Sequence, residues 1–257
     1  MKKLLIPVAG LALAVSMVTV VQAAPTEIVV RVISKDAKFI GTSIGGTLII
    51  IRDVDSGELL AKGVTKGDTG DTKRIMVMDK KRNDNLSTDG AAKFMATLDI
   101  TEPRLIEVSA YGPLAQRQSA NKVSATQWIV PGKHVNAGDG FLLQMPGFIV
   151  DVMDPPAHIK LTGAMQTIKL RANVTMMCGC TLEPGGPWDP SKYEVKALLK
   201  RNGEAVGELP LEYAGAISQF AATWDVKQVG TYQATVYAYD PVNGNTGVDS
   251  VTFIVAP

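Results

Sequence analysis

Gly230-Thr231-Tyr232-Gln233-Ala234-Thr235-Val236-Tyr237-Ala238-Tyr239 runs into Asp240-Pro241-Val242-Asn243-Gly244-Asn245, and after one more residue into Gly247 to Val255. The first stretch alternates polar or tyrosine positions with small apolar ones. Strand side chains point to opposite faces with a period of two, so one face of this segment is made for a core and the other for water. Asp249-Ser250-Val251-Thr252-Phe253-Ile254-Val255 alternates in the same way. Proline, two asparagines and glycine between them are turn chemistry. The reading is two long antiparallel strands joined by a short loop.

Working back from this hairpin, the second half of the chain predicts five more strands: His158–Leu161, Gln166–Met176, Tyr193–Lys200, Ala205–Glu212 and Ile217–Trp224. Asn202-Gly203 marks a two-residue hairpin between the third and fourth of the seven. Seven short strands with turn residues at this spacing resemble an immunoglobulin-type sandwich. Gly230-Thr231-Tyr232 sits where such folds carry a tyrosine at the corner into strand F, and Gly230 to Val255 resembles the closing hairpin of bacterial immunoglobulin-like domains. The resemblance implies a fold and leaves function open.

The first half is also strand-rich. Ile28–Ile33, Thr47–Ile51, Arg74–Met78, Ala92–Ile100, Arg104–Tyr111 and Thr126–Val130 are β-branched or alternating runs closed by Gly, Pro, Asn or Asp. Gly46 to Thr65, with its acidic turn Asp53-Val54-Asp55-Ser56-Gly57 and its closing Gly63-Val64-Thr65, resembles the opening hairpin of prealbumin-like, carboxypeptidase-regulatory-type sandwiches. Gly67 to Asn85 departs from that pattern and reads as a long charged loop. Helical periodicity is nearly absent, with short turns near Leu114–Gln118 and Lys192–Tyr193 as the best candidates. Met153-Asp154-Pro155-Pro156 changes the texture: two prolines cannot pair within a central strand. The expected organisation is therefore all-β: two consecutive β-sandwich domains, 24–154 and 155–257, after a cleaved signal peptide at 1–23.

That leader is read from its three parts. Lys2 and Lys3 are basic, Leu4 to Val21 is apolar apart from Ser16 and Thr19, and Val21-Gln22-Ala23 places small residues where a signal peptidase cuts. No cysteine follows to carry a lipid anchor. Cleavage takes the formal net charge from +1 to −1. So small a charge sets up no long-range field for nucleic acid or anionic membranes. No later run is long and apolar enough to span a bilayer. The expectation is a periplasmic or secreted protein whose partners are a protein or a small ligand, with self-association open.

One run is chemically loaded: Met176-Met177-Cys178-Gly179-Cys180. If the strand stays extended, Met176, Cys178 and Cys180 share a face, and a thioether with two thiols is a soft-ligand set for Cu(I) or another thiophilic metal. A Cys178–Cys180 disulfide is the competing reading, favoured by an oxidising compartment and by the bend Gly179 permits. Inert or intermolecular thiols are the third. In an immunoglobulin sandwich the B–C and F–G loops share one end, which would bring Cys178, Cys180, Trp188 and Asn243 together. Trp188, Asp240, Asn243 and Asn245 are the candidate contacts for a partner or ligand there. The two histidines, His134 and His158, lie in loops outside any catalytic motif, so no enzyme class is read from the chain. Asp68, Asp71, Asp79 and Asn83 to Gly90 have the oxygens of a calcium loop without its distal glutamate, and read as solvated turns. Three readings of function follow. They are a non-catalytic binding or accessory protein using immunoglobulin loops, a copper-handling or thiol-redox protein, and a structural subunit of a surface assembly.

Overall fold

The computed structural model describes residues 23–257. The expected leader lies outside the described residues, apart from Ala23. The fold is all-β, and its strands form two sandwiches.

Seven strands build the first: β1 (Ala24–Ser34), β2 (Leu48–Asp53), β3 (Leu59–Val64), β4 (Phe94–Ile100), β5 (Arg104–Gly112), β6 (Asn121–Ile129) and β7 (Phe141–Met145). One sheet has the order β4-β1-β7, the other β3-β2-β5-β6. Between them lie the alternate apolar positions, Ile28, Val30 and Val32 of β1 against Ile49, Ile51, Ile106 and Val108 of β2 and β5. The acidic turn closes the β2–β3 hairpin as its residues require: the Asp53 carboxylate accepts the Ser56 N–H and hydroxyl, both at 2.8 Å. These bonds are the first cause holding that carboxyl below its usual range.

Arg74–Met78, expected as a strand, is a helical turn over Lys73–Val77. Asp71 starts it, accepting the Arg74 N–H on its carboxylate at 2.6 Å and the Ile75 N–H on its carbonyl at 3.0 Å. Only Ile75 of this turn is buried. It joins Ile33, Phe39, Ala91 and Ala92, so the segment between β3 and β4 covers the outer face of β1. The apolar residues of the turn carry β-propensity, but contact with that face sets their conformation.

The second sandwich comprises β8 (Phe148–Asp154), β9 (Ile159–Thr162), β10 (Gln166–Met176), β11 (Glu194–Arg201), β12 (Glu204–Pro210), β13 (Glu212–Tyr213), β14 (Gln219–Val226), β15 (Gly230–Tyr239) and β16 (Thr246–Ala256). Its sheets run β13-β14-β10-β8 and β12-β11-β15-β16-β9. In immunoglobulin terms β10 and β14 are the B–E pair and β11, β15 and β16 are C, F and G. The opening strand is split in two: β8 pairs with β10, and β9 pairs in parallel with β16. The corner tyrosine is present: Tyr232 donates its hydroxyl hydrogen to the Gln228 carbonyl at 2.6 Å. Its ring stacks on Phe253 at 5.3 Å and meets the edge of Trp224 at 5.3 Å. Asn202 and Gly203 both take positive φ, as a primed hairpin turn demands.

The boundary at 154/155 is corrected by the sheet pairing. β8, placed in the first domain by sequence, is hydrogen-bonded inside the second sandwich. The chain passes between sandwiches at Pro146-Gly147, where Gly147 has φ +133. Pro155-Pro156 does break a ladder, as proline must. The break it makes is the crossing of one split strand from sheet to sheet.

Candidate functional site at the joint between the sandwiches

β10 ends at Met176 instead of running on through the cysteines. Gly179 takes φ +75 and donates its N–H to the Met176 carbonyl at 2.8 Å, and the Met176 N–H returns to the Cys180 carbonyl at 3.0 Å. The chain doubles back, and Cys178 and Cys180 are joined in a disulfide with Cα atoms 5.3 Å apart. The extended run that would align Met176, Cys178 and Cys180 on one face is therefore not formed. Both sulfurs are spent in the bond, so neither is a thiolate ligand in this state. Met176 fills the core of the second sandwich, together with Cys178 and Cys180. Met177 fills the core of the first. Successive side chains of an extended segment point opposite ways, and here the two methionines enter two cores. Phe148 and Ile149 at the start of β8 divide in the same manner.

The B–C and F–G loops both reach the chain's own first sandwich, at the adjacent residues Asp36 and Lys35. The Trp188 indole N–H donates to the Asp36 carbonyl at 2.9 Å. Asp189 fixes the loop that presents Trp188, its carboxylate accepting the N–H groups of Gly185 and Ser191 and the Ser191 hydroxyl. Those bonds, with Gly185 first, pull the Asp189 carboxyl down to about 2. Lys35 donates its ammonium to the Asn243 carbonyl at 2.6 Å. Asn245 is wholly buried. It donates to the Lys35 carbonyl at 3.1 Å and accepts the Gly147 N–H at 3.1 Å. Asp240, 3% exposed, braces the F–G loop by accepting from the Val242 N–H and the Asn243 amide. A Cβ on Gly179 would touch Ile44 at 3.4 Å. Trp188, Asp240 and Asn245 are thus buried by intrachain contacts, and only Asn243 keeps part of its surface.

Charge is not balanced at this joint. Burial, and then the like charge of Asp240 across the joint, push the Asp36 carboxyl above its usual range. Tyr193 packs edge-on against Phe148 at 5.1 Å, and burial with the nearby Asp240, Asp36 and Asp189 raises its hydroxyl to about 12. Beside Asp36 opens a cleft of about 340 Å³, walled by Ile33, Ala37, Ile75, Met76 and Leu142, with Lys80 and Gln144 among its polar lining. The first-sandwich half of the joint, Lys35 to Ile44, escaped sequence reading: Ser34-Lys35-Asp36-Ala37 looks like any surface turn, yet Ala37 is buried in the second sandwich's core.

Among the other candidates, His134 accepts the Glu27 N–H at 3.0 Å and His158 takes a positive φ in the turn before β9. Asp68 and Asp84 accept local backbone N–H groups at Gly70 and Lys81, as ordinary turns do. Among the described residues no three His, Cys, Asp or Glu side chains converge as a metal site, and no helix is long and apolar enough to cross a membrane.

No family model and no curated protein matches the chain. Similar solved structures include fibronectin(III)-like modules of Clostridium thermocellum CbhA, at 12% identity and TM-score 0.29, covering 90% of this chain and 94% of that one. A tip fimbrial protein, Mfa3 of Porphyromonas gingivalis, aligns at 8% identity and TM-score 0.27, over 89% of this chain and 81% of its own. An engineered protein aligns at 19% identity and TM-score 0.31 over 50% of this chain, which spans only 24% of that protein's length. None of these likenesses bears on activity.

Proposed function

We propose that the protein is an exported, non-catalytic accessory subunit, in which two sandwiches form one stiff body that meets its partners through sheet edges and faces. One observation carries this reading: the loop end that an immunoglobulin module offers to a partner is filled by the Lys35–Ile44 segment of the chain's own first sandwich. Function on such folds resides in exposed loops when they are free. Here the loops serve as a joint, and their polar side chains are consumed in it. That shifts the weight from loop recognition towards the structural-subunit reading. Thiol-redox or copper chemistry would require Cys178 and Cys180 to leave a buried disulfide.

The test is tumbling. Backbone relaxation by NMR is expected to report one rotational correlation time for amides of both sandwiches, and limited proteolysis to spare Met145–Phe148. Two separate correlation times, with cutting at Pro146-Gly147, would refute the stiff-body reading. Partner capture lost on Val242→Glu alone would restore the loop reading, since Val242, 89% exposed, caps the F–G loop.

A further inference from the structure

Sheet edges invite pairing with other chains, and proteins usually blunt them with short strands, prolines, charges, bulges or covering segments. Most edges of this molecule are treated in that way. β13 has two residues and β9 four. β12 carries Glu204 and Glu208, ends in Pro210 and pairs through a register shift. On β8, Ser119 accepts the Val150 N–H and Asp249 the Val152 N–H. β3 and β4 close on one another, so tightly that a Cβ on Gly63 would lie 2.2 Å from the Phe94 ring.

β6 is the least protected edge among the described residues: it has no proline, glycine or bulge, and β7, which approaches it across the corner of the sandwich, forms no ladder with it. It is nine residues long, Asn121-Lys122-Val123-Ser124-Ala125-Thr126-Gln127-Trp128-Ile129, without proline or glycine, and Lys122 is its one charge. It pairs on one side only, with β5. The Leu105 carbonyl accepts from Val54, on the β2 side. The alternate residues Ile106, Val108 and Ala110 therefore face β6, and engage Gln127, Ala125 and Val123. The backbone groups of Lys122, Ser124, Thr126 and Trp128 then point outward. In keeping with this, the Lys122 N–H is met only by the side chain of Asn121, at 2.8 Å. The same four side chains lie on the outer face of the sheet, since Ile129 and Val123 face the core. Trp128 is 61% exposed.

We propose that β6 is a self-association strand, pairing antiparallel with β6 of a second copy about a two-fold axis at Ala125. This deepens the accessory-subunit reading, on which it rests for its context, by naming the partner at one edge. The strand's own sequence selects the occupant. With the axis at Ala125, Lys122 lies opposite Trp128 of the other copy, and Ser124 opposite Thr126, twice over by symmetry. Each ammonium then sits beside an indole on the same face, a cation–π pair, and each hydroxyl beside a hydroxyl. The outward-pointing backbone groups are the ones that meet. The two copies of Lys122 are six residues apart along the strand, roughly 20 Å, well beyond the screening length of about 8 Å. A slip of two residues either way removes the Lys122–Trp128 pair and shortens the overlap. The product is one continuous sheet of two four-stranded halves.

The experiment is sedimentation velocity of the purified protein over a wide concentration range, with three variants. A single strand pair is a small interface, so the parent is expected to dimerise reversibly and weakly. Thr126→Pro removes an outward N–H that the intrachain ladder does not use, so it is expected to keep the thermal midpoint while raising the dimer dissociation constant at least about tenfold, because both copies are struck. Ala125→Cys places two thiols on the axis and is expected to cross-link in mild oxidant, whereas Ser124→Cys, opposed by Thr126, is not. The proposal is overturned by a parent that stays monomeric at every concentration, a dimer untouched by Thr126→Pro, or equal cross-linking at 124 and 125. A monomer with one tumbling time would sink this inference alone. A dimer with two tumbling times would sink the stiff-body reading alone.

Discussion

Asn245 separates a loop that waits for a ligand from a loop that holds the molecule together. As an F–G loop residue of a free immunoglobulin module it would be exposed, and its truncation would change stability by less than about 0.5 kcal/mol. In the structure its side chain joins three segments: its own loop, the Lys35 carbonyl of the first sandwich, and the Gly147 N–H of the connector. Asn245→Ala leaves one buried donor and one buried acceptor without partners. Each unsatisfied group costs about 1–3 kcal/mol, so the expected loss is about 2–6 kcal/mol, nearer the lower end if a water enters the vacated space. At about 2–4 °C per kcal/mol for a chain of this size, that corresponds to a fall in Tm of about 4–24 °C. Urea denaturation followed by tryptophan fluorescence and by far-ultraviolet circular dichroism measures it. Of the three tryptophans only Trp188 lies at the joint, so its share of the fluorescence change, isolated by comparison with Trp188→Phe, should move before the circular dichroism of the sheets. A loss below about 0.5 kcal/mol, with both transitions unmoved, would refute the joint and return Asn245 to the pool of surface ligand contacts.

Tyr232→Phe deletes the corner hydrogen bond to Gln228 and keeps the stacked ring, so a loss of about 1 kcal/mol in urea is expected; a neutral result would deny the corner its role. The Cys178–Cys180 bridge closes a very short loop, so Cys178→Ala with Cys180→Ala is expected to cost only about 1–2 kcal/mol from chain entropy, and reductant, which opens the parent's bridge and leaves the variant untouched, should shrink that difference. Asp36 binds its proton more tightly folded than unfolded, because burial and Asp240 raise its carboxyl. Its contribution to stability is therefore fully present below the unfolded carboxylate range and is lost as pH rises through the raised folded value. Asp36→Asn, which suits the φ of +56 at that position, should accordingly be more stable than the parent at neutral pH, with the gain fading in acid. Denaturant midpoints at about pH 3 and about pH 7 check it, and a gain that persists at the acid end would show that charge is not the cause.

Alternation and turn residues alone determined much of this protein. Thr231 to Tyr239 and Asp249 to Val255 were bound to be half-buried strands joined by the Asp240–Asn245 turn. Asn202-Gly203 had to close a hairpin. These features depend on periods and conformational preferences that act within a few residues, so they are legible without neighbours. What lay beyond that range was decided by tertiary contact. Ile75 and Met76 became a helical turn because the outer face of β1 needed covering. Phe148–Asp154 joined the second sandwich because β10 offered it an edge, and so the two prolines came to divide a strand between sheets. Met176 and Met177 read alike in sequence and entered different cores, because the two sandwiches meet where β10 ends. The polar loop residues look like a ligand site for the same reason that they make a good joint: each carries hydrogen-bonding groups on a tight turn. A sequence says what such groups can bond to. Which partner arrives, a ligand or the chain's own first sandwich, depends on residues more than two hundred positions away, as Lys35 is from Asn245, and only the folded arrangement brings them together.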